Sequence, residues 1–342
     1  MSGSRRAWIA ALSCALILGP AQGAGARVDR GHCAPAVRAV TSVPARIDGL
    51  LAFSTTQAIA LAGPPSSRVR YWPRDGLLRL TWRGAPAWRL TLPPYVTPPG
   101  LAARDDHAML YVVVDNAVLV LNAATGHVEA RRKLDVQALG WPAAVAAGPG
   151  GRLYVAGQPA RGWTAIVEAL AIAPSRPARV VWRAQLGLFH AGIWLGPAGP
   201  GRLAVYLPGT YDVPGTMAAL DEGSGILQPA YTVPAPPLAA DPARDRLYLD
   251  DAGSIRALTL SHGIPVAAAP GTGPLTLDLP RGLVAFTRGH GIVLASARTL
   301  SPLAHIALPG ATALATTPDG SMLLVGRRGS LAWIDLGRCG AP

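Results

Sequence analysis

Apolar and polar residues alternate in short runs along the chain, and the stretch from Leu110 to Leu134 shows this pattern most completely. Its parts are, in order, an apolar run at Tyr111–Val114, the pair Asp115-Asn116, a second apolar run at Val118–Leu121, a turn closed by Thr125-Gly126, and a polar-alternating run at His127–Leu134. Short runs rich in β-branched residues and separated by Asp, Asn and Gly predict antiparallel strands joined by hairpins. Gly126 suits a turn position with positive φ because it has no Cβ.

The same module recurs along the chain with a period of about 40 to 50 residues. Later copies contain the strand-like runs 150–157, 164–173 and 178–186, then 201–207, 217–225 and 226–233, then 241–250, 254–260 and 264–269, then 281–287, 291–297 and 303–308. The copies separate near residues 96, 137, 188, 234, 271 and 310, and the apolar runs between residues 47 and 92 supply one more. The sequence therefore predicts seven all-strand units, and no helical period persists beyond the N-terminal segment.

The two ends of this series complement each other. The last copy, 316–336, stops without an outer strand, whereas the strand-like run Ala34–Val43 has no copy of its own. Pairing the two would protect an open sheet edge. We therefore expect residues 27–342 to form a single all-β domain, a seven-bladed β-propeller closed by the N-terminal strand joining the last blade. Six or eight blades are the alternatives if the region 47–92 is divided differently.

Two cysteines, Cys33 and Cys339, lie near the ends of this expected domain. In an oxidising compartment such a pair predicts a disulfide that closes the molecule. Closing so long a loop contributes about 5 to 6 kcal/mol in the chain-entropy picture, as an upper figure. The alternative is a pair of free, buried thiols.

Residues 1–26 have the features of an export signal: Arg5-Arg6, an apolar run at Ala7–Gly19, and small residues at Ala24-Gly25-Ala26. Thirteen apolar residues are too few to cross a bilayer core of roughly 30 Å as a helix. Ser4–Ile9 resembles the twin-arginine motif, but ordinary Sec signals also carry paired arginines, so both export routes stay open. We expect a periplasmic or secreted protein with no membrane span.

Composition excludes a disordered chain, because half of the residues are apolar and only 15% are charged. The 39 glycines and 33 prolines fit a fold with very many turns. The formal charge is +12, yet the cations are scattered, Lys133 is the only lysine, and the longest basic run is Arg131-Arg132-Lys133. This spacing favours a mildly cationic surface over a nucleic-acid-binding patch, and we expect no nucleic-acid partner.

Several of these motifs resemble the repeats of the PQQ-like and YVTN families of bacterial exported β-propellers. The resemblance rests on LYVVVDNAVLVLNAATG, on the Asp-Pro and Pro-Asp-Gly turns before LYL and LLV, and on the turn DEGSG. It implies the propeller fold and export, and it is unspecific for activity. Quinoprotein dehydrogenases, which resemble the chain only in their repeats, usually have eight tryptophan-docked blades and a vicinal cysteine pair. This sequence has neither adjacent cysteines nor a Trp in every copy.

Known chemistries find little support in the sequence. There is no Cys-x-x-Cys-His for covalent haem, and the histidines are at least fifteen residues apart, so they form no local ligand set. Lactonase-type propellers hold a divalent metal with axial Glu, Asp and Asn, but only Asn116 and Asn122 are available as asparagines here. We therefore predict no cofactor and no metal, and we lean against an enzyme.

Two connections are longer than the repeat requires, namely Gln158–Trp163 and Pro208–Pro214 in adjacent units. In propellers, turns from the second to the third strand of a blade emerge on the same face as the connections between blades, and loops on a rigid scaffold often carry binding groups. Aromatic and arginine side chains are common anchors at binding surfaces. The sequence therefore predicts a recognition patch whose six residues are Trp141, Arg161, Trp163, His190, Tyr211 and Asp212. The alternative is that Trp163 and Tyr211 only cover the rim of neighbouring sheets.

The first functional hypothesis is thus a non-catalytic exported propeller, a scaffold that binds a periplasmic protein or small molecule through its loop face. The second is a propeller subunit or accessory protein of a periplasmic amine or alcohol dehydrogenase system of the quinoprotein type. The third is a lactonase-like hydrolase, which the shortage of axial carboxylates and amides disfavours. We expect a monomer or a subunit of a hetero-complex.

Overall fold

The computed structural model describes residues 33–63, 76–92, 100–104, 107–114, 117–134, 141–159, 161–162, 164–173, 176–188, 193–209, 214–337 and 339. This part of the chain is all-β: it forms strands and two short 3-10 turns, Pro149–Gly151 and Pro242–Arg244, and no α-helix. The predicted export signal at residues 1–26 and the turn Asp115-Asn116 lie outside the described residues. Within those residues, no helix has the length and apolar character needed to cross a membrane.

The strands form six antiparallel sheets, which we name A to F. Sheet A contains β1 (Ala36–Ser54), β2 (Gln57–Gly63), β3 (Gly76–Thr81), β4 (Gly84–Thr91), β25 (Ala311–Thr316) and β26 (Met322–Asp335). Sheet B contains β5 (Gly100–Ala103), β6 (Met109–Val114), β7 (Ala117–Asn122) and β8 (Val128–Lys133), and sheet C contains β9 (Trp141–Gly148), β10 (Arg152–Gln158), β11 (Thr164–Ala173) and β12 (Arg176–Leu188). Sheet D contains β13 (Trp194–Gly199), β14 (Arg202–Leu207), β15 (Gly215–Asp221) and β16 (Tyr231–Val233), and sheet E contains β17 (Pro237–Asp241), β18 (Arg246–Asp251), β19 (Ser254–Leu258) and β20 (Pro265–Pro270). Sheet F contains β21 (Thr272–Asp278), β22 (Leu283–Arg288), β23 (Gly291–Ser296) and β24 (Pro302–Ile306).

Sheets B to F each consist of four strands that follow one another in sequence, so each is a meander of hairpins. Each lies between two of the unit boundaries predicted from the sequence, which confirms the all-β repeat. The sequence missed the first strand of sheets C to F. In sheets C to E these strands are rich in Ala, Gly and Pro instead of β-branched residues, and in sheet F the strand β21 is interrupted by Gly273-Pro274. First strands of successive sheets contact one another, from β5 and β9 through to β21 and β25. Small side chains permit this close approach.

Sheet A differs from the others because two of its strands change partners along their length. Ala36–Ser42 of β1 pairs with the end of β26, as the sequence predicted for the N-terminal run, whereas Arg46–Ser54 pairs with β2. The beginning of β26 pairs with β25. Both strands show register shifts where the partner changes. Sheet A thus has two parts, one built on β25, β26 and the start of β1, the other on the rest of β1 with β2 to β4.

The core lies between the sheets. Among the described residues, buried apolar side chains form seven clusters, and each cluster joins two neighbouring sheets or the two parts of sheet A. In the cluster between sheets B and C, for example, Tyr111 and Val118 pack with Leu153 and Ile166. Burial of these faces removes apolar surface from water and stabilises the stacked arrangement.

Aromatic side chains also dock one sheet onto a glycine turn of the next. A β-carbon at Gly126, Gly225 or Gly263 would lie 2.5, 2.6 or 2.4 Å from an atom of Trp88, Trp182 or Tyr231, respectively, so these rings rest directly on the glycines. All three glycines have positive φ. A Trp in every copy is therefore unnecessary for this contact, since Tyr231 makes it as well.

These three turns, and the corresponding turns of two other units, accept side-chain hydrogen bonds from the neighbouring sheet. In each case the acceptor is a backbone carbonyl one or two residues after the third strand of the receiving unit. The donors and acceptors are Trp88 Nε1 to Ala123 at 3.2 Å, Trp182 Nε1 to Glu222 at 2.8 Å, Tyr231 Oη to Leu260 at 2.6 Å, Tyr248 Oη to Ala297 at 2.6 Å, and Arg281 Nη1 to Leu336 at 2.7 Å. A repeated donor from one sheet to the next fixes the spacing between them.

The two parts of sheet A are joined by a buried relay. Trp333 Nε1 donates to the Thr41 hydroxyl at 3.2 Å, and that hydroxyl donates to the carbonyl of Thr81, also at 3.2 Å. Cys33 and Cys339 form a disulfide, as the sequence predicted, and both are buried in the cluster between sheets F and A.

Candidate functional site

The recognition patch predicted from the sequence falls largely outside the described residues. Trp163, His190, Tyr211 and Asp212 are all outside them. Trp141 begins β9, but nothing is described of its side chain, and Arg161 lies exposed between β10 and β11. The described residues therefore do not test the patch, which stays a prediction.

A different group of residues forms a well-defined site at one end of sheets E and F. This cleft, which we call the arginine cleft, has a volume of about 920 Å³. Pro280, Gly282 and Leu303 form the apolar part of its lining. The polar part consists of four arginines and three hydroxyl side chains, namely Arg244, Arg246, Arg281, Arg298, Ser296, Thr299 and Ser301. The cleft lies at the turns that join the first strand to the second and the third to the fourth. These turns are at the opposite edge of a meander from the long connections of the predicted patch.

Arg244 is held by a buried carboxylate. Asp241, which ends β17 and is fully buried, accepts a hydrogen bond from the Arg244 backbone N–H at 3.2 Å and from Arg244 Nη1 at 2.8 Å. Arg244 Nη2 also donates to the Leu279 carbonyl of sheet F at 3.1 Å. This arrangement follows from the short 3-10 turn after Asp241, which has Pro at its first position and the Asp as its N-cap.

Arg281 occupies the equivalent place in the next sheet. Its backbone N–H donates to Asp278 Oδ1 at 3.2 Å, and its Nη1 donates to the carbonyls of Leu336 and Cys339 at 2.7 and 3.1 Å. Asp278 is buried, and its Oδ2 lies 3.9 Å from Arg281 Nε. Burial raises the pKa of Asp278 to about 6, against the lowering effect of its bond from the Arg281 N–H and of the nearby guanidinium. Arg281 therefore connects the cleft to the turn that carries the disulfide.

The remaining polar groups come from β18 and from the turn between β23 and β24. Arg246 Nη1 donates to the carbonyls of Arg244 and Asp245 at 3.1 and 3.0 Å, while its Nε is buried and meets no acceptor among the described residues. In the turn, Thr299 Oγ1 donates to Ser301 Oγ at 3.0 Å. Arg298 is exposed at the mouth of the cleft.

Charge in the arginine cleft is unbalanced. Four guanidinium groups line the cleft, and no carboxylate of the described residues does. The nearby carboxylates lie behind the arginines: Asp241 pairs with Arg244, Asp278 lies beside Arg281, and Asp335 interacts with Arg281 from the next strand. Guanidinium and hydroxyl groups donate hydrogen bonds to oxyanions, and Arg stays protonated at any ordinary pH. The arrangement is suited to binding an anion.

A second group, beside a cleft of about 340 Å³ between sheets D and E, contains Ser, His and Asp without forming a catalytic triad. Ser261 Oγ donates to Asp245 Oδ2 at 2.8 Å, and His262 Nδ1 lies 2.7 Å from Ser261 Oγ. In a triad the His accepts the serine proton and the Asp orients the His. Here the serine proton is directed to Asp245, so the imidazole cannot act as its base in this geometry.

A third cleft, of about 420 Å³, is largely apolar. It lies where β1 and β25 of sheet A meet β21 of sheet F, and His107, from the connection after β5, also lines it. The His107 ring contacts Phe53 edge to face, with ring centroids 5.3 Å apart. Among the described residues, no three His, Cys, Asp or Glu side chains come together as a metal site.

Comparison with known proteins gives no relative: no protein-family model matches the chain, and no curated protein resembles it significantly in sequence. The likeness to PQQ-like and YVTN repeats therefore rests on the short sequence motifs alone and stays a prediction.

Sequence reasoning missed the arginine cleft because the arginines are scattered and were assigned to a solvated surface. A signal was nevertheless present in the repeat. Asp241 and Arg244 occupy the same positions in one unit as Asp278 and Arg281 in the next, three residues apart in both. Aligning the turns of successive units would have placed both Asp-x-x-Arg pairs at one edge of adjacent sheets.

Proposed function

We propose that the chain is a seven-bladed β-propeller. Five blades correspond to sheets B to F, and the two parts of sheet A are the first and last blades. The last blade has four strands when β26 is counted as two, one on each side of Gly329. Supporting this division, β1 and β26 change partners midway, and Gly329 of β26 has a φ of +84°, as a hairpin turn between two strands would require. The seven inter-sheet clusters match the seven junctions of a ring, including the one between the last blade and the first.

We propose further that the N-terminal strand and the disulfide close this ring. Ala36–Ser42 supplies the outer strand of the last blade, and the Cys33–Cys339 bond covalently fixes the same blade. A closed ring has no exposed sheet edge, which keeps a protein made only of strands from pairing with other chains. The disulfide and the sequence of residues 1–26 support export to the periplasm or the medium.

The function that this arrangement supports best is binding: an exported, non-catalytic propeller that acts as a rigid scaffold and holds an anionic partner or ligand. The observation that carries this proposal is the arginine cleft, in which guanidinium groups are fixed on the turns of two docked sheets. Its side chains can recognise and orient a ligand. The likeness to PQQ-like and YVTN propellers agrees with this role and does not specify the ligand.

Capture from periplasmic extract tests the proposal. Tagged protein should retain a partner or ligand that mass spectrometry identifies, and the purified partner should then bind in a saturable manner. The Trp163→Ala and Tyr211→Ala variants distinguish binding through the predicted patch from binding through the arginine cleft. Loss of binding at an unchanged melting temperature would assign the partner to the predicted patch, and loss of stability instead would mean that these aromatics only cover the rim. Turnover of a captured small molecule by the purified protein would contradict a purely binding role.

A second candidate is a propeller subunit or accessory protein of a quinoprotein-type dehydrogenase system. Its support is that Trp88 and Trp182 lie on turn glycines of the next sheet, as docking tryptophans do in the quinoprotein propellers that the repeats resemble, although Tyr231 takes this place at a third turn. Co-purification with a c-type cytochrome or a small cysteine-rich subunit would select this candidate. A partner lacking any redox group would count against it.

A further inference from the structure

We propose that the arginine cleft binds a phosphate group carried by a small molecule. This inference rests on the proposed binding function and names the ligand class of one of its sites. It is argued from three properties of the cleft: donors that are already oriented, hydroxyl groups beside a further arginine, and an excess of positive charge.

Two of the guanidinium groups are fixed before any ligand arrives. Arg244 is held by Asp241 and the Leu279 carbonyl, and Arg281 by the carbonyls of Leu336 and Cys339. A guanidinium has five N–H donors, so these bonds leave further donors on both groups. Because the side chains are already ordered, a ligand loses little affinity to the entropy of immobilising them.

Arg246 and the hydroxyl turn supply additional donors. The guanidinium of Arg246 lines the cleft, with its Nη1 held by the carbonyls of Arg244 and Asp245. Ser296, Thr299 and Ser301 present hydroxyl groups on the other side of the cleft. Guanidinium forks combined with hydroxyl groups are a common way to recognise tetrahedral oxyanions.

Charge and size select a doubly charged group that is part of a larger molecule. Four guanidinium groups and no described carboxylate line the cleft, which favours a dianion over a single carboxylate. The volume of about 920 Å³ exceeds what one oxyanion fills, so there is space for the remainder of a phosphomonoester. The lining contains no aromatic side chain among the described residues, so the charged group and not a stacked ring is recognised.

Isothermal titration calorimetry with inorganic phosphate and with glycerol 3-phosphate, at constant ionic strength, tests this inference on the full exported protein. Both probes should bind saturably, with acetate at the same concentration failing to compete. The Arg298→Glu variant should bind about tenfold more weakly or worse, because a charge-assisted contact is replaced by a repulsive one. Arg298→Lys, which keeps the charge and loses the planar fork, should show a smaller loss.

Arg288→Glu is the matched control, since Arg288 is an exposed arginine at the opposite end of sheet F and the change in net charge is identical. It should leave the affinity within about twofold of wild type, because exposed charges beyond a Debye length of about 8 to 10 Å are largely screened. Equal weakening by both reversals would show non-specific attraction to a cationic protein and overturn the inference. Absence of saturable binding by both probes would overturn it too, and the scaffold role would still stand if the captured partner bound normally.

Discussion

The indole of Trp88 in sheet A covers Gly126 in a turn of sheet B so closely that a β-carbon on residue 126 would lie 2.5 Å from Trp88 Cδ2. Gly126 also has a φ of +72°, a conformation that residues with a side chain adopt only with strain. Residue 126 must therefore adopt a positive φ and must also leave no β-carbon beneath the indole, and the energetic effects of these two requirements can be measured separately.

Replacing Gly126 by Ala should destabilise the protein more than replacing Gly150 by Ala. Gly150 has nearly the same φ, +67°, but a β-carbon there would meet nothing within 4 Å. Both variants carry the backbone strain of about 1 to 2 kcal/mol. Only Gly126→Ala adds the overpacking term, typically about 1 to 3 kcal/mol. Denaturant unfolding monitored by tryptophan fluorescence measures the difference, and equal losses would mean that the docking contact does not hold the sheets.

We expect the hydroxyl of Thr41 to stabilise the junction between the two parts of sheet A. Thr41→Val preserves the shape of the side chain but leaves Trp333 Nε1 and the Thr81 carbonyl without the partner they share. Each unsatisfied buried group costs about 1 to 3 kcal/mol, so the free energy of unfolding of Thr41→Val should be lower than that of wild type by at least about 1 kcal/mol. Thr41→Ser retains the hydroxyl and should recover most of the loss. Thermal unfolding of the three proteins measures this, and a Val variant as stable as wild type would contradict the relay.

Removing the disulfide should lower stability without abolishing the sheets. In the chain-entropy model, the 306-residue separation of Cys33 and Cys339 corresponds to about 5 to 6 kcal/mol as an upper figure. The double variant Cys33→Ser, Cys339→Ser should therefore melt at a lower temperature than wild type in oxidising buffer. Reductant should shift wild type to the same temperature and leave the double variant unchanged. A wild type insensitive to reductant under conditions that open the bond would contradict this role.

Asp278 should make stability fall as pH rises through the weakly acidic range. Its pKa in the folded protein is raised to about 6 by burial, above an ordinary value of 3.8, so the folded state binds the proton more tightly than the unfolded state. Ionisation above that pKa is therefore unfavourable for folding, by up to about 3 kcal/mol for a shift of this size. Asp278→Asn should be more stable than wild type at pH 7.5, and the two should converge near pH 4.

Asp319 provides a control of opposite sign. Its pKa is lowered, chiefly by the hydrogen bond from the Thr317 hydroxyl, so its ionised form stabilises the fold. Asp319→Asn should be less stable than wild type at neutral pH, with the difference disappearing as pH falls below about 4. Unfolding free energies of both variants between pH 4 and 7.5 provide the comparison. A parallel pH dependence in the two variants would contradict the assignment to Asp278.

Much of the all-β framework could be predicted because its signals are local. Runs such as Tyr111–Val114 and Val118–Leu121 become buried strands, and their β-branched residues mark them in the sequence. The first strands of sheets C to E could not be found in this way, since their Ala, Gly and Pro residues reflect the close approach of neighbouring sheets and not an intrinsic preference for strands. The first strand of sheet F was missed because Gly273-Pro274 interrupts its apolar run.

The arginine cleft was harder to predict because its parts are brought together only by docking of two sheets. Arg244 and Arg281 are 37 positions apart by number, and Arg298 comes from a third turn. Single arginines at strand ends are common on any soluble surface, and the buried Asp241 and Asp278 that hold two of them are revealed only by the packing. The predicted patch containing Trp163 and Tyr211 depends on long connections, for which sequence supplies composition without geometry.

The most direct measurement is an experimental electron-density map of the exported protein, in which the sheets around its axis are counted. We expect seven four-stranded sheets in a closed ring, with Ala36–Ser42 forming the outer strand beside residues 330–335 and the Cys33–Cys339 bond at the seam. An open row of sheets, a ring of six or eight, or terminal cysteines lying far apart would contradict the proposed architecture.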